Sequence, residues 1–134
     1  MLQPKKSKFR KVFRGRRQGV TTRGNEVVFG DFGLKATTGG WVSARQIEAA
    51  RKKITFATKR AGKYWMRIFP DKPITKKAVG VKMGSGKGDI YEYVCVVKPG
   101  MVMFEIGGVT EAVAKEAFTK ASHKLSVKTT LIGK

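Results

Sequence analysis

The chain has 134 residues, which is enough for one domain with a single modest hydrophobic core. Its 29 Lys and Arg residues far outnumber its 9 Asp and Glu residues, giving a formal net charge of +20 at pH 7. This charge favours a polyanionic partner (a nucleic acid, an anionic membrane surface or an acidic protein). The sequence has no long apolar run and no signal-peptide core, so we expect neither membrane insertion nor secretion.

The N-terminal 25 residues contain no acid and few apolar residues, and those few follow no sustained period. We interpret residues 1–25 as an extended basic arm that becomes ordered on a partner. An organelle transit peptide is also rich in Arg, but this segment is poor in Ser and has no evident amphipathic face. The arm carries nine candidate contacts to a polyanion: Lys5, Lys6, Lys8, Arg10, Lys11, Arg14, Arg16, Arg17 and Arg23.

A first helix is predicted to begin at a capping box made by Ser43 and Gln46, after β-type sequence over residues 26–36 and a glycine turn at 39–40. Gly62 supplies its stop. Its buried stripe is predicted from apolar residues at helical spacing, namely Ile47, Ala50, Ile54, Ala57 and Ala61. The opposite face presents a second set of candidate cations, namely Arg45, Arg51, Lys52, Lys59 and Arg60.

The second half of the chain alternates strand-like runs with turns. Strands are predicted over residues 63–69, 78–83, 90–97, 101–106 and 126–131, with a second helix capped by Thr110 before the last of them. Six or seven strands with two helices indicate an α+β fold, with a mostly antiparallel sheet in a single compact domain over residues 26–134.

A glycine-rich loop at residues 84–88 invites comparison with a phosphate-binding loop. The Walker pattern fails at both ends, because Val81 and Gly88 stand where it needs Gly and Ser or Thr. Two interpretations remain compatible: a flexible hairpin tip, or a close approach of bare backbone N–H groups to a nucleic-acid phosphate. The candidate residues of this loop are Lys82, Gly84, Ser85, Gly86, Lys87 and Gly88.

No group of residues in the sequence resembles a catalytic site or a set of metal ligands. His123 is the only histidine, and we interpret it as a residue near the C-terminus of the second helix. Cys95 lies in an apolar strand and is predicted to be a small core residue. As the only cysteine, it excludes an intrachain disulfide and favours a reducing, cytoplasmic location. We expect no enzyme, cofactor or metal.

Three large aromatic residues could stack on unpaired bases, namely Trp41, Tyr64 and Trp65. Trp65 lies beside apolar strand residues, which favours a core position. Trp41 follows two glycines and could be exposed.

Several motifs together resemble one family, the bacterial large-subunit ribosomal protein sixteen, related to the archaeal and eukaryotic ten e proteins. The similar stretches are residues 1–11, 32–36, 43–51, 59–73 and 83–88, and the resemblance runs over essentially the whole chain. Two departures are visible. Tyr64 replaces an aliphatic residue, and Lys82 replaces an Arg, which puts a bidentate phosphate contact there in doubt.

The resemblance implies an α/β-hammerhead type fold bound to large-subunit ribosomal RNA. It implies that the glycine-rich loop and the arm point towards the peptidyl-transferase and tRNA-elbow region, near the aminoacyl-tRNA site. The partners so implied are this RNA, aminoacyl-site tRNA with peptidyl-site tRNA as a further candidate, and neighbouring large-subunit proteins, with no membrane and no homo-oligomer. An organellar ribosome is a less favoured location than a cytoplasmic one.

Two alternatives remain. One is a free-standing nucleic-acid chaperone, which would bind promiscuously and keep its structure without RNA. The other is an RNA-modifying or RNA-cleaving enzyme that uses Asp71, His123 or Glu92. The scattered positions of the acids argue against this alternative.

Overall fold

The computed structural model describes residues 1–134, and no helix or strand precedes residue 32. Nine elements follow in chain order: β1 (Phe32–Ala36), β2 (Gly40–Ser43), α1 (Ala44–Ala57), β3 (Lys63–Met66), β4 (Lys72–Lys76), β5 (Asp89–Val97), β6 (Val102–Gly107), α2 (Glu111–Ser122) and β7 (Thr129–Gly133). The predicted α+β class is confirmed, and no helix is long and apolar enough to span a membrane.

The strands form two separate antiparallel sheets instead of the single sheet that the sequence suggested. A four-stranded sheet has the order β3-β6-β1-β7, and a three-stranded sheet has the order β2-β5-β4. Both helices begin where predicted. The Ser43 hydroxyl accepts from the Gln46 N–H at 3.2 Å while the Gln46 side chain accepts from the Ser43 N–H at 3.0 Å, and Thr110 caps α2. These reciprocal bonds satisfy N–H groups that a helix start leaves free.

The prediction that α1 continues to Ala61 is wrong. The helix ends at Ala57 with Thr58 as its C-cap, and the Thr58 hydroxyl donates to the Ile54 carbonyl at 3.0 Å. Lys59 and Arg60 then adopt positive φ values of 54° and 63°, which no α-helix accommodates. Two of the five predicted helix-face cations therefore lie in the turn after α1.

The predicted strand over residues 78–83 is also wrong, and residues 77–88 form one long loop between β4 and β5. The strand lies earlier in the chain, where Pro73 pairs with Tyr93. β4 is an edge strand with β5 as its only neighbour, and an edge strand tolerates a proline, which has no N–H to donate. The apolar residues of the loop cannot be buried there, and Val79 is fully exposed.

The core lies where the two helices meet the two sheets. α1 packs against β2 and β5, α2 packs against β1 and β7, and the helices pack against each other. The largest buried side chains include Phe104, Phe118, Ile47 and Ile54. This arrangement leaves one face of the three-stranded sheet free of helices.

Candidate nucleic-acid interface

The basic arm lies along the three-stranded sheet. The Thr21 N–H donates to the Pro99 carbonyl at 3.0 Å, and the Val102 N–H donates to the Gly24 carbonyl at 2.8 Å, which fixes the end of the arm against the strand ends. Nearer the N-terminus, the Lys72 ammonium on β4 donates to the Arg14 carbonyl. The arm cations other than Lys11 are exposed.

Trp41 and Lys72 lie on the same face of this sheet. Trp41 on β2 pairs with Val96 of β5, and Lys72 on β4 pairs with Val94 of β5, two residues away. Because side chains alternate across a strand, all four residues share the face opposite to the core residue Cys95. The arm places Arg14 and Arg17 beside the Trp41 ring, at 5.9 and 5.4 Å from its centroid.

Three predicted cations lie on α1, namely Arg45, Arg51 and Lys52. Arg45 and Lys52 are exposed, whereas Arg51 is half-buried and pairs with Glu48. This hydrogen bond to Arg51 holds the pKa of the Glu48 carboxyl below its usual value. Arg51 therefore has part of its donor capacity occupied within the protein, while Arg45 and Lys52 are free to meet an external anion.

An exposed aromatic residue accompanies the helix cations. Phe56 is 76% exposed. It lies on the same face of α1 as Arg45 and Lys52, because Lys52 and Phe56 follow Arg45 by 7 and 11 residues, each close to a whole number of helical turns. Lys53 adds a further exposed cation. Phe56 and Lys53 were not predicted from the sequence, although their helical spacing could have identified them.

The glycine-rich loop is the most exposed part of the body. Lys82, Gly84, Ser85, Gly86 and Lys87 are all exposed, and a Cβ added at Gly84 or Gly86 would meet nothing within 4 Å. The backbone passes through positive φ at residues 84, 85 and 86. Gly88 differs, because a Cβ there would lie 2.8 Å from the backbone of Lys76.

Two lysines tie this loop to its surroundings. The Lys87 ammonium donates to the Val12 carbonyl of the arm, and the Lys11 ammonium donates to the Lys87 carbonyl at 3.2 Å. The Lys77 side chain donates to the Gly84 carbonyl within the loop. The structure thus brings the predicted arm and loop residues into contact, while the α1 cations form a separate patch.

A buried carboxylate organises the segment before β1. Glu105 on β6 is 0% exposed, and its Oε1 accepts from the backbone N–H groups of Val28, Phe29 and Gly30 at 2.9, 2.8 and 2.9 Å. Its Oε2 lies 3.0 Å from Nη1 of Arg67. This pairing satisfies a charge that burial alone would make unfavourable.

The segment held by Glu105 presents an aromatic pair. Phe29 is 58% exposed and stacks on the half-buried Trp65, with ring centroids 6.2 Å apart. The Arg67 guanidinium lies 5.6 Å from the Phe29 centroid. A flat, partly exposed aromatic pair next to a cation suits stacking on an unpaired base.

The residues weighed for catalysis lie in separate elements, with Asp71 just before β4, Glu92 on β5 and His123 at the end of α2. His123 occupies the C-cap of α2, as predicted, and is exposed. Cys95 is buried as predicted, and burial raises the pKa of its thiol to about 11. No three His, Cys, Asp or Glu side chains form a group that could hold a metal ion.

Comparisons with known proteins show the family of this chain. The family model described as Ribosomal protein L16p/L10e matches residues 4–132. A protein of Aeromonas hydrophila named Large ribosomal subunit protein uL16 is 57% identical over 132 residues, which cover 98% of this chain and 96% of the relative. A relative of the same name from Stenotrophomonas maltophilia strain R551-3 is 56% identical over the same shares. The chain therefore belongs to the L16p/L10e family of ribosomal proteins, which are structural and not catalytic components of the ribosome.

Proposed function

We propose that this protein is a constituent of the large ribosomal subunit that binds large-subunit ribosomal RNA and helps organise the aminoacyl-tRNA site near the peptidyl-transferase centre. The observation that carries the RNA-binding part is the arm, which holds nine cations and no acid and lies exposed along the sheet. Surface cations of a soluble domain are normally interspersed with acids. An arm without them is suited to neutralising phosphates.

The binding mode follows from the chemistry of RNA. Duplex RNA hides its base edges in a deep, narrow groove, so a protein recognises mainly its shape and its phosphates. The exposed arm, the Arg45 and Lys52 patch on α1, and the glycine-rich loop offer three such contacts. Each phosphate contact releases counterions, which makes the affinity strongly dependent on salt.

The location near the aminoacyl-tRNA site rests on the resemblance to the family and on the shape of residues 77–88. A long exposed loop with backbone N–H groups unshielded by side chains at Gly84 and Gly86 can approach an RNA strand closely. Direct contact of this loop with tRNA is part of the proposal.

A salt titration tests the RNA-binding part. The change is Lys5→Gln, Lys6→Gln and Arg16→Gln together, and affinity for purified large-subunit RNA is measured by filter binding over a range of salt concentrations. Each lost phosphate contact should lower the slope of log affinity against log salt by about 0.7 to 0.9. The triple variant should therefore lose roughly 2 to 3 in slope.

A matched control removes the same charge elsewhere. Lys115→Gln, Lys124→Gln and Lys128→Gln alter exposed lysines on and after α2, a surface on which acids such as Glu111 and Glu116 are mixed with cations. These changes should leave the slope nearly unchanged. Equal slopes for the arm variant and the control would mean that net charge, and not the arm, determines binding.

A further inference from the structure

The arm and the three-stranded sheet enclose a small cleft beside Trp41. Its volume is about 190 Å³, and its lining includes Val12 and Arg14 from the arm, Trp41 and Lys72 from the sheet, and Lys87 from the loop. We call this the Trp41 cleft. Three separate parts of the chain meet there, so it exists only while the arm lies against the body.

Positive charge accumulates at the Trp41 cleft without a counter-charge. Arg14, Arg17 and Lys72 each have their charged group 5.1 to 5.9 Å from the centroid of the Trp41 ring, and no acid lines the cleft. Burial, followed by the charges of Arg17, Arg14 and Lys87, lowers the pKa of Lys72. Contact with the ring offsets part of this repulsion, because the face of an indole attracts cations.

Trp41 also carries a hydrogen-bond donor that has no partner. The indole N–H of Trp41 is buried and has no acceptor within the protein. A buried donor without a partner is unfavourable by about 1–3 kcal/mol in general, so native proteins seldom leave one. The uncompensated cations beside the ring call for a ligand with several anionic oxygens.

We propose that the Trp41 cleft binds a phosphodiester group of an RNA strand, held by Arg14, Arg17 and Lys72 together. The inference rests on the proposed RNA-binding function and names one site for it. A guanidinium group can donate two parallel hydrogen bonds to two oxygens of one phosphate. This bidentate contact is stronger and more specific than a single-point contact. An acidic polypeptide is the competing ligand, and the family membership favours RNA over it.

Binding at the cleft couples RNA to the position of the arm. Arg14 and Arg17 belong to the arm, whereas Trp41 and Lys72 belong to the sheet, so one phosphate bridges both. Without it, the arm must bring two arginines towards a lysine against their mutual repulsion. RNA therefore stabilises the closed arm, and removal of RNA weakens its contact with the sheet.

Trp41 provides a reporter for the experiment. The chain has two tryptophans, so Trp65→Phe leaves Trp41 as the sole source of indole emission, with the fold checked by circular dichroism. This protein is titrated with a short oligouridylate, and separately with polyglutamate. The fluorescence anisotropy of a labelled oligouridylate, measured with the protein that retains Trp65, gives the affinity independently.

Two charge-matched variants isolate the cleft. Arg14→Gln with Arg17→Gln removes the two arginines at the ring, and Arg16→Gln with Arg23→Gln removes two exposed arm arginines that have no contact with Trp41. We expect a saturable change in Trp41 emission with oligouridylate. The first variant should lose this change and about tenfold or more in affinity per lost contact. The second should keep the emission change and lose less affinity than the first, because its two arginines are separate candidate phosphate contacts outside the cleft.

Three outcomes would overturn the inference. Equal weakening by both variants means that the arm binds RNA without a specific site at Trp41. A stronger emission change with polyglutamate than with oligouridylate assigns the cleft to an acidic protein. No emission change at all means that RNA does not enter the cleft. In each case the titration of ribosomal RNA across salt still decides the proposed function separately.

Discussion

Replacement of Glu105 tests whether one buried carboxylate organises the segment before β1. Glu105→Gln keeps the size of the side chain and one carbonyl oxygen, but it removes the charge and turns an NH₂ group towards Arg67. In the native protein Oε1 accepts three successive backbone N–H groups, and Oε2 lies 3.0 Å from the Arg67 guanidinium.

The expected loss follows from the burial of the pair. Glu105 is fully buried, and the Arg67 side chain is only 18% exposed. Removing one partner of a buried ion pair typically destabilises a protein by about 3–5 kcal/mol, because the other charge is left without compensation. Domains of this size have about 5–15 kcal/mol in total, so Glu105→Gln should remain folded but much less stable. Arg67→Met in addition should recover part of the loss, since no orphaned guanidinium remains.

Urea unfolding followed by circular dichroism measures these free energies. Glu116→Gln is the matched control, because it removes one negative charge from an exposed pair with Lys120 and should cost less than about 1 kcal/mol. A loss for Glu105→Gln no larger than that of the control would refute the reasoning. So would a double variant with Arg67→Met whose loss equals the sum of the single losses.

Three further outcomes are expected. Ser43→Ala removes the N-cap of α1 and should lower the free energy of unfolding by about 0.5–2 kcal/mol, and an unchanged urea midpoint would contradict the capping role. Gly62→Ala should destabilise by more than about 3 kcal/mol, because its Cβ would overlap the Gly107 carbonyl at positive φ, whereas Gly80→Ala, also at positive φ but in open space, should cost only about 1 kcal/mol. Cys95 has a folded pKa of about 11 against an ordinary 9.0, so its contribution to stability is complete below pH 9.0 and is lost as the pH rises towards 11. Stability should thus fall less steeply over this interval in Cys95→Val, and identical pH profiles would show that the thiol does not titrate as its burial implies.

The sequence predicted best what neighbours along the chain determine. The Ser43 box and the Thr110 cap are local hydrogen-bond patterns, and the structure confirms both helix starts. The end of α1 escaped prediction because Lys59 and Arg60 adopt positive φ, which ends the helix before the expected Gly62. The strand at residues 78–83 was predicted from apolar residues that have no neighbouring strand in the fold.

The residues of the candidate interface could be predicted one by one, but their grouping in space could not. The candidate cations could be named from their number and from the lack of acids. Their grouping could not, since Lys72 meets the Arg14 carbonyl from 58 positions away. Glu105 was missed because nothing in the local sequence distinguishes a buried carboxylate on β6 from an exposed one. Long-range contacts of this kind emerge only when strand order and register are known.

The most direct test of the ribosomal account is sedimentation of a tagged copy from cell extract through sucrose gradients at low and moderate salt. We expect the protein to migrate stoichiometrically with the large subunit and with whole ribosomes, and to remain there at moderate salt. Recovery at the top of the gradient, or a spread over all RNA-containing fractions, would contradict the account and favour a free nucleic-acid-binding protein.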